Sequence, residues 1–305
     1  MTEPALVVAT DGSLASRNAV AWAARAAAAR GLPLRIVHVL DDPALAYPRP
    51  LPTRENLDTV LEVRGRRILR MARETAEETA PELTPELVLR RGIVAKCLTS
   101  QSRGAAMLVL GTPGLRPLGR ILLGSTSVAL AAHAECPVAL VRPHVGDDEP
   151  PSAGPVVVGV DGSPSSEQAV AVAFEEASWR KAPLTAVHCW DDRLLSAVFR
   201  ENDWKFDGSY EQEAAEVLAE RIAGWEGRYP EVEVRQVVVR GRPSEQLLDL
   251  ADRAQLLVVG SRGRGGLTGL LLGSTSQAVM SYALCPVIVA REDQSGPSGS
   301  TPADR

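Results

Sequence analysis

The sequence predicts an α/β protein built from two successive copies of one unit, each a five-stranded parallel sheet joined by crossover helices. Two observations carry that prediction, an internal repeat and an alternation of element types. The repeat is read directly: Val7-Val8-Ala9-Thr10-Asp11-Gly12-Ser13 is answered by Val157-Val158-Gly159-Val160-Asp161-Gly162-Ser163, and Val37-His38-Val39 by Val187-His188-Cys189, both at an offset of 150. Leu108-Val109-Leu110-Gly111 is answered by Leu257-Val258-Val259-Gly260, Leu122 to Ser127 by Leu271 to Ser276, and Cys136-Pro137-Val138 by Cys285-Pro286-Val287, all at an offset of 149. A slippage of one residue over the whole length is too orderly for chance.

Within a copy, short β-branched runs alternate with longer helical patterns. In the second copy strands are expected at 155–161, 184–190, 233–240, 255–260 and 286–290, and helices at 164–181, 209–228, 243–253 and 274–284. The strands are apolar almost throughout, as in a parallel sheet covered on both faces. Ser163 followed by Pro164 reads as an N-cap with proline in the first helical turn. The 305 residues exceed what one core usually serves. The domains are accordingly placed at 1–143 and 155–291, with a Pro/Gly/acid-rich linker at 144–154 and a disordered tail at 292–305. Segments 41–66 and 191–210 share little between the copies; they read as loops over the strand ends, either lids or plain surface excursions.

Composition narrows the function. With 45% hydrophobic and 23% charged residues and no apolar run near the roughly 20 residues of a membrane span, no transmembrane helix is expected. The start, Met1-Thr2-Glu3-Pro4, lacks a secretory pattern, and a cytoplasmic location is expected. A net charge of -5 argues against wholesale attraction to nucleic acid or acidic lipid. Cys97, Cys136, Cys189 and Cys285 form no zinc spacing and read as buried thiols.

The chemistry is concentrated in glycine. Gly260-Ser261-Arg262-Gly263, nine residues, then Gly273-Ser274-Thr275 form a loop that leaves a strand and enters a helix N-terminus, the arrangement of a phosphate cradle. The first copy keeps the frame as Gly111-x-x-Gly114, nine residues, then Gly124-Ser125-Thr126. Such glycines also serve plain turns, and Ser274 also suits a cap. Asp11 and Asp161 follow the first strand of each copy at the same sheet edge, where a carboxylate can bond a ribose hydroxyl or base, ligate magnesium shared with phosphates, or cap the helix. His38 and His188 lie within strand two and read as packed, hydrogen-bonded core residues rather than catalytic bases. Neither G-x-x-x-x-G-K-[ST] nor a G-x-G-x-x-G opening the first helix is present, and no Ser-His-Asp order or metal triad stands out. Binding is better supported than catalysis.

The paired G-x2-G-x9-G-[ST] loops, the Asp-Gly-Ser turns and the Cys-Pro-Val last strands together resemble the universal stress protein family, in tandem form and in its ATP-binding branch, over residues 4–142 and 155–291. The resemblance implies open Rossmann-like sheets of the adenine nucleotide alpha hydrolase type, adenine nucleotide binding, pairing of domains through the last strand, and a role under stress. It further implies that adenine and ribose meet Val160, Asp161 and the Cys189 backbone, that Val259, Gly260 and Gly263 approach ribose and phosphates, and that Gly273, Ser274 and Thr275 close on the phosphate chain. The matching first-copy positions are Thr10, Asp11, Val39, Leu110, Gly111, Gly114, Gly124, Ser125 and Thr126. ATP, with magnesium near Asp11 and Asp161, is the expected cofactor. A protein partner of unknown identity, an intrachain pseudo-dimer and a homodimer are the expected associations.

The copies are unequal. The second has Arg262, Gly265, Gly266 and Gly269 where the first has Pro113, Arg116, Pro117 and Arg120, and proline removes an amide donor. The first also has Ile93-Val94-Ala95-Lys96 in place of Arg242-Pro243-Ser244-Glu245. The second copy is therefore expected to bind more tightly. A nucleotide-dependent regulator without classical enzyme activity is the leading expectation, with a slow ATPase or phosphotransferase and a nucleotide-free scaffold as alternatives.

Overall fold

The computed structural model describes residues 4–41, 54–113, 123–143, 149–190, 209–264 and 271–292. The first copy runs β1 (Leu6–Ala9), α1 (Leu14–Arg30), β2 (Leu34–Leu40), α2 (Arg54–Thr79), β3 (Glu86–Arg91), α3 (Val94–Ser102), β4 (Met107–Gly111), α4 (Ser125–His133) and β5 (Val138–Val141). The second repeats the order as β6 (Val156–Gly159), α5 (Pro164–Arg180), β7 (Leu184–Trp190), α6 (Ser209–Glu226), β8 (Val234–Arg240), α7 (Pro243–Ala251), β9 (Leu256–Gly260), α8 (Ser274–Tyr282) and β10 (Val287–Ala290). Every element expected in the second copy is present. One expectation fails in part: the stretch 41–66, read as loop, is helical from Arg54 onward. Its earlier part from residue 42, most of 191–210, and the expected tail beyond Glu292 lie outside the described residues.

Strand order is β3-β2-β1-β4-β5-β10-β9-β6-β7-β8 in one ten-stranded sheet. The two five-stranded parallel sheets are thus joined edge to edge, and the seam, β5 against β10, is antiparallel with Val287 opposite Leu140, Ile288 opposite Ala139 and Val289 opposite Val138. All the other pairings are parallel. Since the strands of one copy run opposite to those of the other, their carboxyl ends emerge at opposite edges of the common sheet.

Alternation along each strand sorts its residues between two cores. Leu6, Val8, Ile36 and Val109 face one layer, built with Ala19, Ala23 and Ala27 of α1 and Ala169, Ala173 and Ala177 of α5. Val7, Val37, Leu108 and Leu140 face the other, with Leu98, Leu130, Leu247 and Val279 from α3, α4, α7 and α8. The alanine stripes let α1 and α5 lie close to the sheet. Both helices begin on a serine cap: Ser13 accepts from the Ser16 amide and Ser163 from the Ser166 amide.

Charge joins the copies where α1 and α5 meet. Glu176 of α5 is buried at 1% exposure. It accepts from Arg30 of the first copy and, at 2.9 Å, from Arg180 Nε of the second. Arg180 also lies over the Trp22 ring, 5.1 Å from its centroid. Burial pushes the Glu176 carboxyl up, but Arg180 and Arg30 outweigh it and hold the group below its usual value.

A depressed carboxylate stabilises the fold above its unfolded pKa and loses that contribution as pH falls through the folded value. Glu176→Gln should therefore cost about 3 kcal/mol at neutral pH, because it leaves two largely enclosed guanidinium groups without their counter-charge. The deficit should shrink below about pH 4. Urea unfolding of both chains at several pH values checks this, and an undiminished deficit at pH 3 would sink the ion-pair account.

Candidate functional site

The chain leaves β1 toward β2 and leaves β4 toward β5, on opposite sides, so a crevice opens at the carboxyl ends of β1 and β4, and equally of β6 and β9. In the second copy this crevice is a cleft of about 830 Å³. Val160, Asp161, Cys189, Val259, Gly260, Gly263, Gly273, Ser274 and Thr275, the residues proposed from sequence, all line it. They come from the ends of β6, β7 and β9 and from the first turn of α8, and are brought together by the strand order alone.

Internal hydrogen bonds shape the floor of the cleft. Asp161 Oδ1 accepts from the Ser163 amide at 3.0 Å and from the Ser163 hydroxyl at 2.6 Å. Its other oxygen, Oδ2, accepts from the Arg264 amide at 3.1 Å. Helix capping thus falls to Ser163, while Asp161 closes the turn and ties it to the glycine loop. The loop is pinned again where Ser165 Oγ donates to the Arg262 carbonyl. It closes on itself through the Gly273 amide donating to the Ser261 carbonyl at 2.8 Å and Ser276 Oγ to the Gly260 carbonyl at 2.6 Å. Ser165, Ser276 and Trp190 also line the cleft and were missed from sequence. Ser165 has Ala15 at the equivalent position and Trp190 has Leu40, so the repeat carries no signal at either.

His188 Nδ1 meets the Val160 carbonyl at 2.6 Å and His38 Nδ1 meets the Thr10 carbonyl at 2.7 Å, both rings buried. A carbonyl only accepts, so Nδ1 carries the proton, as expected of packed core histidines. Burial pushes the Cys136 and Cys285 thiols up to about 12 and that of Cys189 to about 11, so all three are inert as nucleophiles at neutral pH. Cys97 and Cys189 are only half-buried. Among the described residues no group of three His, Cys, Asp or Glu could hold a metal ion. No helix among them is long and apolar enough to cross a membrane.

The glycines divide by physical cause. Gly12 and Gly162 have φ of 82° and 75°, so the Asp-Gly turns require them. At Gly260 a Cβ would lie 2.8 Å from the Ser165 carbonyl carbon, and at Gly111 it would lie 2.2 Å from the Ala15 carbonyl oxygen. Close passage of the first helix past the strand end explains both. At Gly263 a Cβ would meet Asp161 Oδ2 at 2.5 Å. Gly273 differs: its φ is -72°, and a Cβ there would find its nearest neighbours among the described residues at 3.5 Å, an ordinary contact. A Cβ at Gly124, with φ of -62°, would meet none of the described residues within 4 Å. Neither backbone angle nor packing among the described residues calls for glycine at these two positions, each the residue before a helix whose first turn carries no acidic side chain.

In the first copy Thr10, Asp11, Val39, Leu110, Gly111, Gly124, Ser125 and Thr126 occupy the corresponding strand ends and helix start, while Gly114 lies outside the described residues, as do Arg116, Pro117, Arg120 and second-copy Gly265, Gly266 and Gly269. Asp11 Oδ1 accepts from the Ser13 amide at 2.9 Å. Partial burial pushes its carboxyl up, but hydrogen bonds from Ser13 and Ser16 bring it below the usual value. Ile68 of α2 stands over Gly12, where its counterpart Gly162 is met by the Arg264 guanidinium.

This geometry can be set beside known proteins. The universal stress protein family model matches residues 5–142 and again 153–291. The chain belongs to that family. A universal stress protein of Mycobacterium tuberculosis is 44% identical over 290 residues, covering 94% of this chain and 97% of that one. A second from the same organism is 40% identical over 290 residues, covering 94% and 96%. One from Mycolicibacterium smegmatis is 39% identical over 302 residues, covering 95% and 98%. The crystal structure of an Archaeoglobus fulgidus universal stress protein superposes with a TM-score of 0.73 at 20% identity, covering 96% of this chain and all of that one, and so shares its fold. Membership in the family assigns this tandem universal stress protein to the stress response.

Gly260→Ala and Gly111→Ala should each destabilise the fold by about 2 kcal/mol or more, since a helix must shift to admit the methyl group. Gly273→Ala should leave stability within about 1 kcal/mol of the parent. Thermal denaturation of the three variants tests the division, and equal losses at Gly260 and Gly273 would contradict it.

Proposed function

We propose that this universal stress protein binds ATP, with magnesium, in the second-copy cleft, and that occupancy orders the glycine loop and biases a surface toward a protein partner. One observation carries the reading: Gly273, at the mouth of α8 and on the wall of the cleft, is a glycine that neither its backbone angle nor any contact among the described residues requires. A ligand approaching the backbone closely would require it, and the amides of Ser274, Thr275 and Ser276, without acidic competition in the first turn, offer such a ligand donors and a positive helix end. The cleft volume is that of a nucleotide-sized site. ATP among nucleotides follows from the family resemblance of the loop.

Slow hydrolysis is the second reading, and the role of Asp161 bears on it. Both of its carboxylate oxygens are already engaged with Ser163 and Arg264. That suits a residue that fixes the loop and shows a ribose or metal one remaining lone pair, better than one free to take a proton from water.

The test begins with the purified full chain, denatured, and its released nucleotide identified by chromatography. ATP near one per chain supports the second-copy site, mostly ADP redirects the work to turnover assays, and none, with no calorimetric binding of Mg-ATP, leaves an interaction scaffold. In the full chain Gly273→Ala should weaken ATP about tenfold or more by placing a methyl where phosphate oxygens approach, whereas Gly124→Ala should spare the tighter site. A Gly124→Ala chain that lost the tighter site would reverse the ranking of the copies.

A further inference from the structure

The last strand of each copy is followed by an arginine, Arg142 after β5 and Arg291 after β10. Because the seam is antiparallel, each arginine emerges beside the carboxyl end of the other copy's last helix. Arg142 Nη1 donates to the carbonyl of Ala283, the C-cap of α8, at 3.2 Å. Arg291 Nη1 donates to the carbonyls of Ala131, at 3.0 Å, and Ala132, in the last turn of α4. These belong to the groups that a helix end leaves without partners of its own.

Folding alone does not account for Arg142. The side chain is fully buried, and among the described residues its Nε and Nη2 have no hydrogen-bond partner and no carboxylate pairs with it. Burial lowers its pKa to about 10. A buried guanidinium with one hydrogen bond is a cost that an apolar side chain of similar volume would avoid. Its position does serve α8, a nine-residue helix with this cation at its negative pole and the second-copy cleft at its positive pole.

We propose that Arg142 is a positioning residue for the second-copy site, contributed by the first copy: it neutralises and anchors the carboxyl end of α8 so that the amino end presents its amides, and an undiminished positive pole, to a bound phosphate chain. Arg291 does the same for α4 and the first-copy site. Each site is then completed from the opposite copy. This rests on the nucleotide reading above.

The experiment compares the full chain with Arg142→Met, Arg142→Gln and Arg142→Lys by calorimetry with Mg-ATP and, separately, with adenosine, alongside urea unfolding. Arg142→Met should fold with at least the parent stability, yet bind ATP about three- to tenfold more weakly, with adenosine unaffected, because only phosphate meets the helix pole. Arg142→Gln, which keeps a donor for the Ala283 carbonyl without the charge, should resemble Met, and Arg142→Lys should recover most of the ATP affinity. Unchanged ATP affinity in both Met and Gln variants overturns the inference, as does an equal loss of ATP and adenosine, which marks general damage to the cleft. Should the Met chain not fold, the Gln chain decides alone by the same criteria. A parent chain that binds no ATP removes the nucleotide reading itself, an outcome distinct from ATP binding that ignores Arg142.

Discussion

The antiparallel contact of β5 with β10 is the constraint from which most of this architecture follows. Both strands are four residues long, fully buried and apolar, and without each other each would be an open edge able to recruit foreign strands. Pairing them closes two edges at once. It also reverses one copy relative to the other, so the two crevices open at opposite edges and residues beyond each last strand reach the far end of the neighbour's last helix. The contact between α1 and α5, and with it the burial of Glu176, is a further consequence of the same geometry.

Much of this was legible in the sequence because repeated, local signals reported it. Val-x-x-Asp-Gly-Ser at the end of a strand, and the serine that starts each first helix, are decided within a few residues, and their recurrence at a near-constant offset gives the domain frame. The nine second-copy cleft residues were legible for the same reason: they sit at strand ends and one helix start, and parallel α/β topology leaves those points no other meeting place. Other features depend on tertiary contacts that no window reports. Ser165 is one serine in a polar run until the loop at Arg262 folds onto it. Gly111 and Gly260 looked like ligand glycines, yet the passage of α1 and α5 is sufficient reason for them. The helical start of α2 at Arg54 is not legible from the repeat, because the matching segment of the second copy shares little sequence with it.

The two copies share a scaffold but not its finish. In the second, Ser163 and Ser165 both reach the Arg262 carbonyl, and Asp161 holds the Arg264 amide, so the glycine loop is fastened to the turn after β6. In the first, Ala15 replaces Ser165 and cannot make that bond, and Ile68 rather than an arginine covers the turn. A loop held by side-chain hydrogen bonds has less ordering left to undergo when a ligand arrives. That argument favours the second copy independently of its larger number of loop glycines.

Duplication within one chain also permits asymmetry that a symmetric pair would forbid. Arg30 and Arg180 are equivalent positions, and both point at the single carboxylate of Glu176, whose own counterpart is Ala26. Two first copies paired through this surface would set arginine against arginine with only alanine between them, and leave buried like charges uncompensated. Two second copies would bring two glutamates and two arginines into a space now filled by one carboxylate and two guanidinium groups. At this contact of α1 with α5 a first copy is matched in charge by a second, and each half supplies part of the other's surroundings.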